Sequence, residues 1–421
     1  MANYQPPTDT NFPRALRPAV QAALADTPVV LIHGPRQAGK STLAKSLVGD
    51  DFPARYVSLD DLTVLDAARS SPPDFLASFD GPVIIDEVQR APDLFLAIKE
   101  AVDRDRIPGR FLLTGSADVR LVPQISESLA GRIEIVTLWP LSQGEIEGIP
   151  EGFLDRLFDG EPPTARGEAI DRTELLERAL IGGYPEVVQR GQRARRTAWF
   201  RAYVTTVLQR EVRDLADLEG LTELPRLMAL VAARTGALRN FSELSHASGL
   251  PQTTLKRYLA LLEAAFLIRP LPAWSGNLGK RLIKSPRLYP TDTGLMGYLM
   301  GLDLERLDAP GAPTGALIEA FVVGEVRKQI GWSATQPTMH HFRSAAQEEV
   351  DLVLEDTRGR LVAIEVKAAA RVEDHDFRHI RRFQEDVGRR FVTGLVLHAG
   401  REVVSFGPNL HAVPIAALWR G

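Results

Sequence analysis

The residues with the clearest chemistry form a glycine-rich segment near the N-terminus. Residues 34–41 read GPRQAGKS, which places Gly34, Gly39, Lys40 and Ser41 in the order G-x-x-x-x-G-K-S. Glycines let such a loop wrap around phosphates, so that backbone N–H groups and the N-terminus of the next helix face a polyanion. The lysine then contacts the β and γ phosphates, and the serine hydroxyl ligates Mg²⁺. The segment predicts a site for a nucleoside triphosphate and its magnesium ion.

A pair of carboxylates supplies the second half of this site. In GPVIIDEVQ, a four-residue apolar run ends in Asp86 and Glu87, as a buried parallel strand ends at the carboxyl edge of its sheet, where ligands bind. Asp86 is then placed to hold Mg²⁺, and Glu87 to orient or deprotonate the attacking water. The alternative is that the pair only caps the next helix. The acidic pair favours ATP hydrolysis, and the chain has no guanine-selecting N-K-x-D motif. The predicted ATP-binding residues are Gly34, Arg36, Gln37, Ala38, Gly39, Lys40, Ser41 and Thr42.

Two other segments carry candidate polar residues beside apolar runs. In RFLLTGSAD, a hydroxyl of Thr114 or Ser116 could sense the γ-phosphate or position water, and a simple turn at a strand end is the alternative. In SLAGRIEIVTL, Arg132 stands immediately before an apolar run. It could reach a neighbouring subunit's ATP as an arginine finger, or it could form a surface salt bridge.

Short apolar runs alternate with amphipathic, helix-length stretches from Phe12 to about Pro140. This alternation predicts a parallel α/β sheet that places the loop and the acidic pair at one edge. Long helical patterns follow from Asp171 to about Glu263. From about Gly311, one apolar helix precedes strand-like segments that continue to the C-terminus.

The segment NFSELSHASGLPQTTLKRYLALLEAAFLIRPL predicts two helices around a turn at Gly249, as in a winged helix. The exposed N-terminal part of the second helix could enter a major groove, and NLGKRLIKSPRLY could form a basic wing or β-hairpin. Eight basic residues face two acidic ones between Arg239 and Pro290, which is the charge pattern expected for duplex contact. Packing against the ATPase or a neighbouring subunit is the alternative. The predicted DNA-binding residues are Thr253, Lys256, Arg257, Lys280 and Arg281.

Near the C-terminus, EEVDLVLEDTRGRLVAIEVKAAA predicts a β-hairpin centred on Arg358. Its partners have residue numbers that sum to 716, so Asp351 faces Glu365 and Glu349 faces Lys367 on a polar face opposite an apolar one. A shift of one residue would set these acids against apolar partners. Two carboxylates and a lysine suit a metal-dependent phosphodiesterase, in which the acids hold Mg²⁺ and the lysine positions or activates water.

The hairpin resembles the D…E-x-K arrangement of the PD-(D/E)XK nuclease and Holliday-junction-resolvase superfamily. Glu319, in GALIEAFVVGEV, matches the acidic residue that such folds often carry on their first helix. The resemblance implies a nuclease-like site, although such a domain can keep the hairpin for binding after its chemistry has lapsed. The residues of this predicted site are Glu319, Asp351, Glu365 and Lys367.

Several segments together resemble the prokaryotic AAA+ ATPases that carry a C-terminal domain of unknown function. They are GPRQAGKST, VIIDEVQRAPDLFLAIKEAVD, FLLTGS and SLAGRIEIVTLWPLSQGE. The resemblance implies ATP binding and hydrolysis in an AAA-type core, with Ser116 as the sensor and Arg132 as a candidate finger. It also implies a homo-oligomer, because AAA sites are usually completed between subunits. It implies no defined physiological task.

The composition of the chain excludes several kinds of site and partner. The 421 residues carry a formal net charge of −4, so the whole molecule is not a polycation attracted to nucleic acid. The absence of cysteine excludes disulfides, thiolate nucleophiles and cysteine-type zinc sites. No apolar run reaches about 18 residues and no signal peptide is evident, so we expect a cytoplasmic protein without a membrane partner.

These observations predict an α/β protein with an N-terminal P-loop AAA-type parallel sheet, a helical and winged-helix middle, and a C-terminal α/β domain like the PD-(D/E)XK nucleases. The expected divisions are an ATPase core at 1–147, a helical connector at 148–220, a winged helix at 221–308 and the nuclease-like domain at 309–421. The expected function is Mg²⁺-dependent ATP hydrolysis coupled to binding or remodelling of DNA, branched DNA included, with or without cleavage. The alternative is an ATP-switched module whose winged helix docks a protein or operator DNA and which has no nuclease activity.

Overall fold

A computed structural model of the chain describes residues 4, 12–50, 52–116, 129–161, 164, 170–208, 223–277, 279, 281, 284–344 and 346–421. The chain divides into two compact units. The first unit comprises residues 14–140 and 262–266, and the second comprises residues 1–13, 141–261 and 267–421. Within the ranges given above, every helix is too short or too polar to cross a membrane.

The strands and helices of the described residues are numbered here in chain order. The strands are β1 (Val29–His33), β2 (Arg55–Ser58), β3 (Val83–Asp86), β4 (Phe111–Gly115), β5 (Ile133–Thr137), β6 (Ile268–Leu271), β7 (Arg287–Pro290), β8 (Thr338–Arg343), β9 (Glu349–Glu355), β10 (Leu361–Lys367), β11 (Phe391–His398), β12 (Val404–Gly407) and β13 (Leu410–Pro414). The α-helices are α1 (Arg17–Asp26), α2 (Lys40–Ser46), α3 (Leu62–Ser70), α4 (Pro72–Ala77), α5 (Leu94–Arg104), α6 (Gln143–Glu147), α7 (Phe153–Asp159), α8 (Arg172–Ile181), α9 (Pro185–Val188), α10 (Arg193–Thr206), α11 (Leu224–Ala233), α12 (Phe241–Ser248), α13 (Gln252–Ala264), α14 (Thr293–Met300), α15 (Leu304–Leu307), α16 (Thr314–Ile330), α17 (Arg378–Val387) and α18 (Ala417–Arg420). Short 3₁₀ helices span Val88–Arg90, Asp374–Phe377 and Gly388–Arg390.

The first unit is built around a parallel sheet with the strand order β2-β3-β4-β1-β5. Strands β1, β3 and β4 are buried along their whole length, which explains why they read as continuous apolar runs. Their side chains pack against α5, whose apolar stripe includes Phe95, Ile98 and Val102. This parallel sheet confirms the α/β class predicted for the N-terminal region.

The register of this sheet decides which residues share an edge. Strand β4 lies between β1 and β3, and Phe111 pairs with both Val29 and Val83. The carboxyl ends of β1 and β3 therefore reach the same edge of the sheet, where Gly34 and Asp86 stand. All adjacent strands are parallel, so residues that precede a strand lie at the opposite edge.

In the second unit, helices are followed by a mixed sheet with the strand order β12-β13-β11-β10-β9-β8. The predicted hairpin register is confirmed from Leu361↔Glu355 to Ile364↔Leu352, because the numbers of each pair sum to 716. Gly359 in the turn has a φ of 77°, a conformation that glycine adopts without a steric penalty.

The polar face predicted at the open end of the hairpin is confined to that end, and the rest of the hairpin is buried on both sides. Leu352 and Ile364 pack towards α16, whereas Val353 and Ala363 pack in the cluster that contains the buried side chains of α17. The β8–β9 register shifts between His340 and Phe342. Two residues of β9, 351 and 352, therefore occupy the interval opposite one residue of β8. This β-bulge re-aims side chains near the open end of the hairpin, and only there does the face become polar.

The middle of the chain contains the two helices predicted around Gly249. That glycine ends α12 with a φ of 76°, and α13 buries Leu255, Tyr258 and Leu259. Strands β6 and β7 pair antiparallel after α13, with Leu271 opposite Arg287. Helix α13 is therefore anchored by its buried side chains, while its first residues are exposed.

Candidate functional site

The phosphate-loop sequence folds into a tight turn between β1 and α2. Gly34 has a φ of 148°, Gln37 of 62° and Gly39 of 95°. Helix α2 begins at Lys40. The Lys40 side chain is buried, and its Nζ donates to the carbonyl oxygens of Gly34 at 3.0 Å and Pro35 at 2.9 Å. The ammonium is therefore held inside the loop.

The remaining predicted loop residues differ in exposure. Ala38 is buried, Arg36 is half-buried, and Gln37 and Thr42 are exposed. Sequence reasoning missed a residue that fixes this loop from outside the motif. Arg14 donates from Nη1 to the Ala38 carbonyl at 2.7 Å and from Nη2 to the Trp139 carbonyl at 2.7 Å.

Gly34 is required by sterics as well as by its backbone conformation. A Cβ atom at this position would lie 2.1 Å from the Leu138 carbonyl oxygen. We therefore expect Gly34→Ala to displace the loop, abolish detectable ATP binding and lower the free energy of unfolding by about 1–3 kcal/mol. Calorimetric titration with ATP and denaturant unfolding measure the two effects. Gly49→Ala is the matched control, because a Cβ at Gly49 meets nothing within 4 Å. Wild-type ATP affinity in Gly34→Ala would contradict this interpretation.

Asp86 brings the loop and the predicted acidic pair together. Its Oδ1 accepts hydrogen bonds from Ser41 Oγ at 2.8 Å and from Thr114 Oγ1 at 2.5 Å, and its Oδ2 accepts one from Tyr56 OH at 2.7 Å. Asp86 is only 4% exposed. Burial and the bond to Asp86 both raise the pKa of Tyr56, so its hydroxyl remains a donor. Three hydroxyls from three elements thus surround one carboxylate.

Glu87 and Ser116 lie side by side at the same edge. The Glu87 carboxylate accepts hydrogen bonds from Gln89 Nε2 and from Ser116 Oγ, the latter at 3.4 Å. Gln89 Nε2 also donates to Ser116 Oγ at 3.0 Å, and sequence reasoning did not single out Gln89. Glu87 has a φ of 60°, an unfavourable conformation for a residue with a Cβ. Its side chain makes no capping bond to the 3₁₀ helix that follows, which disfavours the capping alternative.

The residues at this edge fit a magnesium nucleotide. Mg²⁺ prefers hard oxygen ligands and is usually held by one or two protein groups together with phosphate oxygens and water. Ser41 Oγ and the Asp86 carboxylate supply two such oxygens 2.8 Å apart. The nearby Lys40 ammonium supplies positive charge for phosphates.

Arg132 lies at the other edge of the sheet. It directly precedes β5, and Val29 N donates to its carbonyl oxygen at 3.3 Å, at the start of β1. Its Nε donates to Asp103 Oδ1 at 2.5 Å. Arg132 is therefore not part of the site formed by its own phosphate loop.

The predicted DNA-binding residues separate into two groups. Thr253, Lys256 and Arg257 are all exposed on α13, and Lys256 Nζ lies 5.2 Å from the centre of the Phe241 ring. Arg281 instead donates from Nη1 to Glu355 Oε2 at 2.6 Å. Lys280 lies outside the described residues.

The expectation of a solvent-facing basic wing needs a correction. Arg269 and Arg287, which were counted in the basic stretch, are each only 5% exposed. Arg281 is held by Glu355 of the C-terminal sheet. Arg281 and Arg287 both serve contacts inside the second unit, because the chain around β7 packs against the C-terminal sheet instead of projecting from it.

The structure brings the four residues of the predicted nuclease-like site into one neighbourhood. Asp351 Oδ2 accepts from Val366 N at 3.0 Å, beside Glu365 and Lys367 on β10. Lys367 Nζ lies 3.9 Å from Glu365 Oε1 and 3.4 Å from Asp376 Oδ1. Glu319 joins them from α16: burial and the charge of Asp351 raise its pKa to about 7.

A residue that sequence reasoning assigned to the wing lies among these carboxylates. Arg287 Nη1 donates to Asp351 Oδ1 at 3.1 Å and to Glu319 Oε1 at 3.2 Å, and Nη2 donates to Glu349 Oε2 at 2.6 Å. Tyr289 OH donates to Glu319 Oε1 at 2.5 Å. No signal in the sequence separated Arg287 from the other basic residues of its segment.

This arrangement does not fit a divalent metal ion. The described residues contain no group of three or more histidine, aspartate or glutamate side chains placed to hold one. A metal needs the carboxylate oxygens to converge on one point, and the guanidinium of Arg287 lies between Asp351 and Glu319. The predicted residues are thus assembled without the predicted metal geometry.

Three family models match successive parts of the chain. Residues 26–147 match an AAA domain, residues 172–306 a domain of unknown function (DUF8612), and residues 314–418 another domain of unknown function (DUF4143). The chain is also 35% identical over 350 residues to the uncharacterized protein Rv2008c of Mycobacterium tuberculosis and to the uncharacterized protein Mb2031c of Mycobacterium bovis. Each match covers 83% of this chain and 72% of the relative.

Two solved structures show looser likenesses. The Walker-type ATPase PABY2304 of Pyrococcus abyssi aligns with a TM-score of 0.43 and 14% identity, over 71% of this chain and 98% of that one. The Holliday junction branch migration motor RuvB of Thermotoga maritima aligns with a TM-score of 0.29 and 21% identity, over 61% and 87%. Neither alignment defines an activity for this chain. The match to the two mycobacterial proteins does show the family: the chain belongs to the same family as Rv2008c and Mb2031c, and its residues 26–147 match an AAA domain.

Proposed function

We propose that this protein hydrolyses ATP with Mg²⁺ and that the bound nucleotide controls its affinity for duplex DNA. One observation carries the first part: Ser41 Oγ and Asp86 Oδ1 lie 2.8 Å apart, so the loop and the acidic strand end serve one triphosphate. The AAA domain match over residues 26–147 supports the same activity.

Each residue of the nucleotide site then has a distinct role. Lys40 turns from its own loop carbonyls to the β and γ phosphates, while loop N–H groups bind their oxygens. Ser41 and Asp86 hold Mg²⁺, which offsets charge on the phosphates when bound. Glu87 orients the attacking water or accepts its proton. Ser116, bonded to Glu87 and Gln89, senses the γ-phosphate at the same edge.

We also propose that the protein forms a homo-oligomer in which Arg132 reaches the ATP of a neighbouring subunit. Arg132 lies at the edge of the sheet opposite its own phosphate loop, which supports a role in a neighbour's site. Its ion pair with Asp103 would have to open for that role. Sizing of the protein with and without ATP tests the oligomer. A single-chain species under both conditions would contradict it.

The DNA part of the proposal is supported by the exposed start of α13. Thr253, Lys256 and Arg257 stand within about one and a half turns of each other on one helix, and no acidic residue lies between them. Such a set can contact phosphates or base edges in a major groove. We do not include cleavage, because the C-terminal carboxylate cluster does not fit a metal ion.

The test measures ATPase rate and DNA affinity with linear duplex, single-stranded and branched DNA, with and without Mg²⁺. We expect Mg²⁺-dependent hydrolysis that duplex or branched DNA stimulates. The double variant Lys256→Ala/Arg257→Ala should bind DNA more weakly, and the slope of log affinity against log salt should fall by about 2. The matched control is Arg226→Ala, which removes an exposed charge from α11.

A second candidate function follows if DNA leaves the ATPase rate unchanged. The protein would then be an ATP-switched binding module, in which α13 docks a protein and hydrolysis sets the lifetime of the complex. Arg281 and Arg287 of the wing segment are held in ion pairs inside the second unit. Among the described residues predicted to bind DNA, the cations that remain exposed are therefore Lys256 and Arg257 of α13. So few exposed cations favour docking of a protein over a large DNA footprint.

A further inference from the structure

We infer that Arg287 is the resident cation of the C-terminal carboxylate cluster and that its guanidinium excludes divalent metal ions from it. The cluster consists of Glu319, Glu349, Asp351 and Glu365. The nuclease-like residues thus form an ion-paired joint that connects β7 with α16 and the C-terminal sheet. The inference does not depend on the ATPase proposal.

The hydrogen-bond pattern assigns Arg287 to the centre of the cluster. A single nitrogen, Nη1, donates to both Asp351 Oδ1 and Glu319 Oε1, at 3.1 and 3.2 Å. The other nitrogen, Nη2, donates to Glu349 Oε2 at 2.6 Å. These three carboxylates come from two different elements, α16 and β9. A planar guanidinium can satisfy them together because its donors are fixed in a fork.

Several carboxylate oxygens that a metal could use already accept hydrogen bonds. Asp351 Oδ2 accepts from Val366 N, and Glu319 Oε1 also accepts from Tyr289 OH. A magnesium ion would need such oxygens at about 2.0–2.1 Å, in the space that Nη1 occupies. Within the described part of the chain, Glu365 Oε2 is buried without a hydrogen-bond partner, so one ligand position of the predicted metal site stands unused.

Arg287 cannot easily leave the cluster, because β7 is fixed on both sides. Leu271 of β6 pairs with Arg287 on one side. On the other side, Leu238 bridges to Arg287 and Arg239 N donates to the Pro286 carbonyl at 2.8 Å. The side chain is only 6% exposed. Replacement of the guanidinium by bound water and a free cation would therefore require movement of the backbone or a change of the residue itself.

Removal of the guanidinium should convert the cluster into a metal site. Buried carboxylates that lose their partner are strongly unfavourable as charged groups, so they should take up a hard cation that is available. We expect the full-length Arg287→Gln protein to gain a Mn²⁺ site in the absence of nucleotide, with an affinity at least about tenfold above that of wild type. Isothermal titration calorimetry and the electron paramagnetic resonance signal of free Mn²⁺ measure this gain.

Three further variants assign the gained site. Arg287→Gln/Asp351→Asn should lose it again. Arg343→Gln should not gain it, because Arg343 pairs with Glu349 at 2.9 Å, whereas Asp351 and Glu319 are held by Arg287. Asp351→Asn alone should bind Mn²⁺ as wild type does, a comparison that remains available if Arg287→Gln fails to fold by circular dichroism. Mn²⁺ binding by wild type that is lost in Asp351→Asn would overturn the inference, as would a folded Arg287→Gln protein that gains no site.

Discussion

Lys40→Ala is expected to abolish ATP binding and to lower the ATPase rate by at least about a hundredfold. The Lys40 ammonium is buried and held at 3.0 and 2.9 Å from two carbonyl oxygens of its own loop. It is therefore already desolvated and confined next to the phosphate-binding backbone, where a positive charge interacts strongly with a triphosphate. Alanine removes that charge and leaves the two carbonyl dipoles facing the phosphates. Calorimetric titration with ATP and a phosphate-release assay measure both effects.

Lys45→Ala is the matched control for this substitution. Lys45 lies further along α2 and is exposed, with its Nζ 4.5 Å from the centre of the Tyr56 ring. It removes the same charge from the same helix without touching the loop, so we expect ATP affinity close to that of wild type. If Lys40→Ala binds ATP as wild type does, the loop is not the nucleotide site and the proposed activity fails with it.

The arrangement of the proposed nucleotide site could be predicted from the sequence because its parts are local or follow from sheet geometry. The glycines and Lys40 are contiguous in the chain. The position of Asp86 follows from sheet geometry instead. Parallel strands end at one edge of the sheet, so the carboxylate at the end of β3 must lie near the loop after β1. The hydrogen bond between Ser41 and Asp86 confirms this convergence.

The residues that hold the site in place could not be found in this way. Arg14 reaches the loop from before α1, and Tyr56 reaches Asp86 from β2. Neither contact leaves a spacing rule in the sequence, because each joins separate elements through the fold. Gln89 is different: it lies only two residues after Glu87, and the need of that half-buried carboxylate for a hydrogen-bond donor could have singled it out.

In the C-terminal hairpin, too, the sequence predicted the local geometry and missed a contact made by a distant residue. The parity of apolar and polar residues was enough to fix the register, since a shift of one residue would set the acids against apolar partners. It did not reveal the bulge on β9 or the guanidinium among the carboxylates. Arg287 enters from a strand more than sixty residues earlier in the chain than Asp351, so its charge was assigned to the wing.

Glu87→Gln is expected to keep ATP binding and to lower the hydrolysis rate by about a hundredfold or more. The Glu87 carboxylate contacts Gln89 Nε2 and Ser116 Oγ, and an amide of the same size can still accept from one of them. It cannot take a proton from water, so chemistry should stop while the nucleotide stays bound. A phosphate-release assay run beside equilibrium ATP binding separates the two effects.

The position of Glu87 makes this substitution a sharp test of its role. Its φ of 60° is a cost to folding that aims the carboxylate along the sheet edge, and its side chain does not cap the helix that follows. A purely structural role for Glu87 therefore does not explain why the chain adopts this unfavourable backbone conformation. Glu100→Gln, on the exposed face of α5, removes an equal charge and should hydrolyse ATP as wild type does. If Glu87→Gln also retains that rate, the water must be activated elsewhere, and Ser116 or Gln89 becomes the next group to replace.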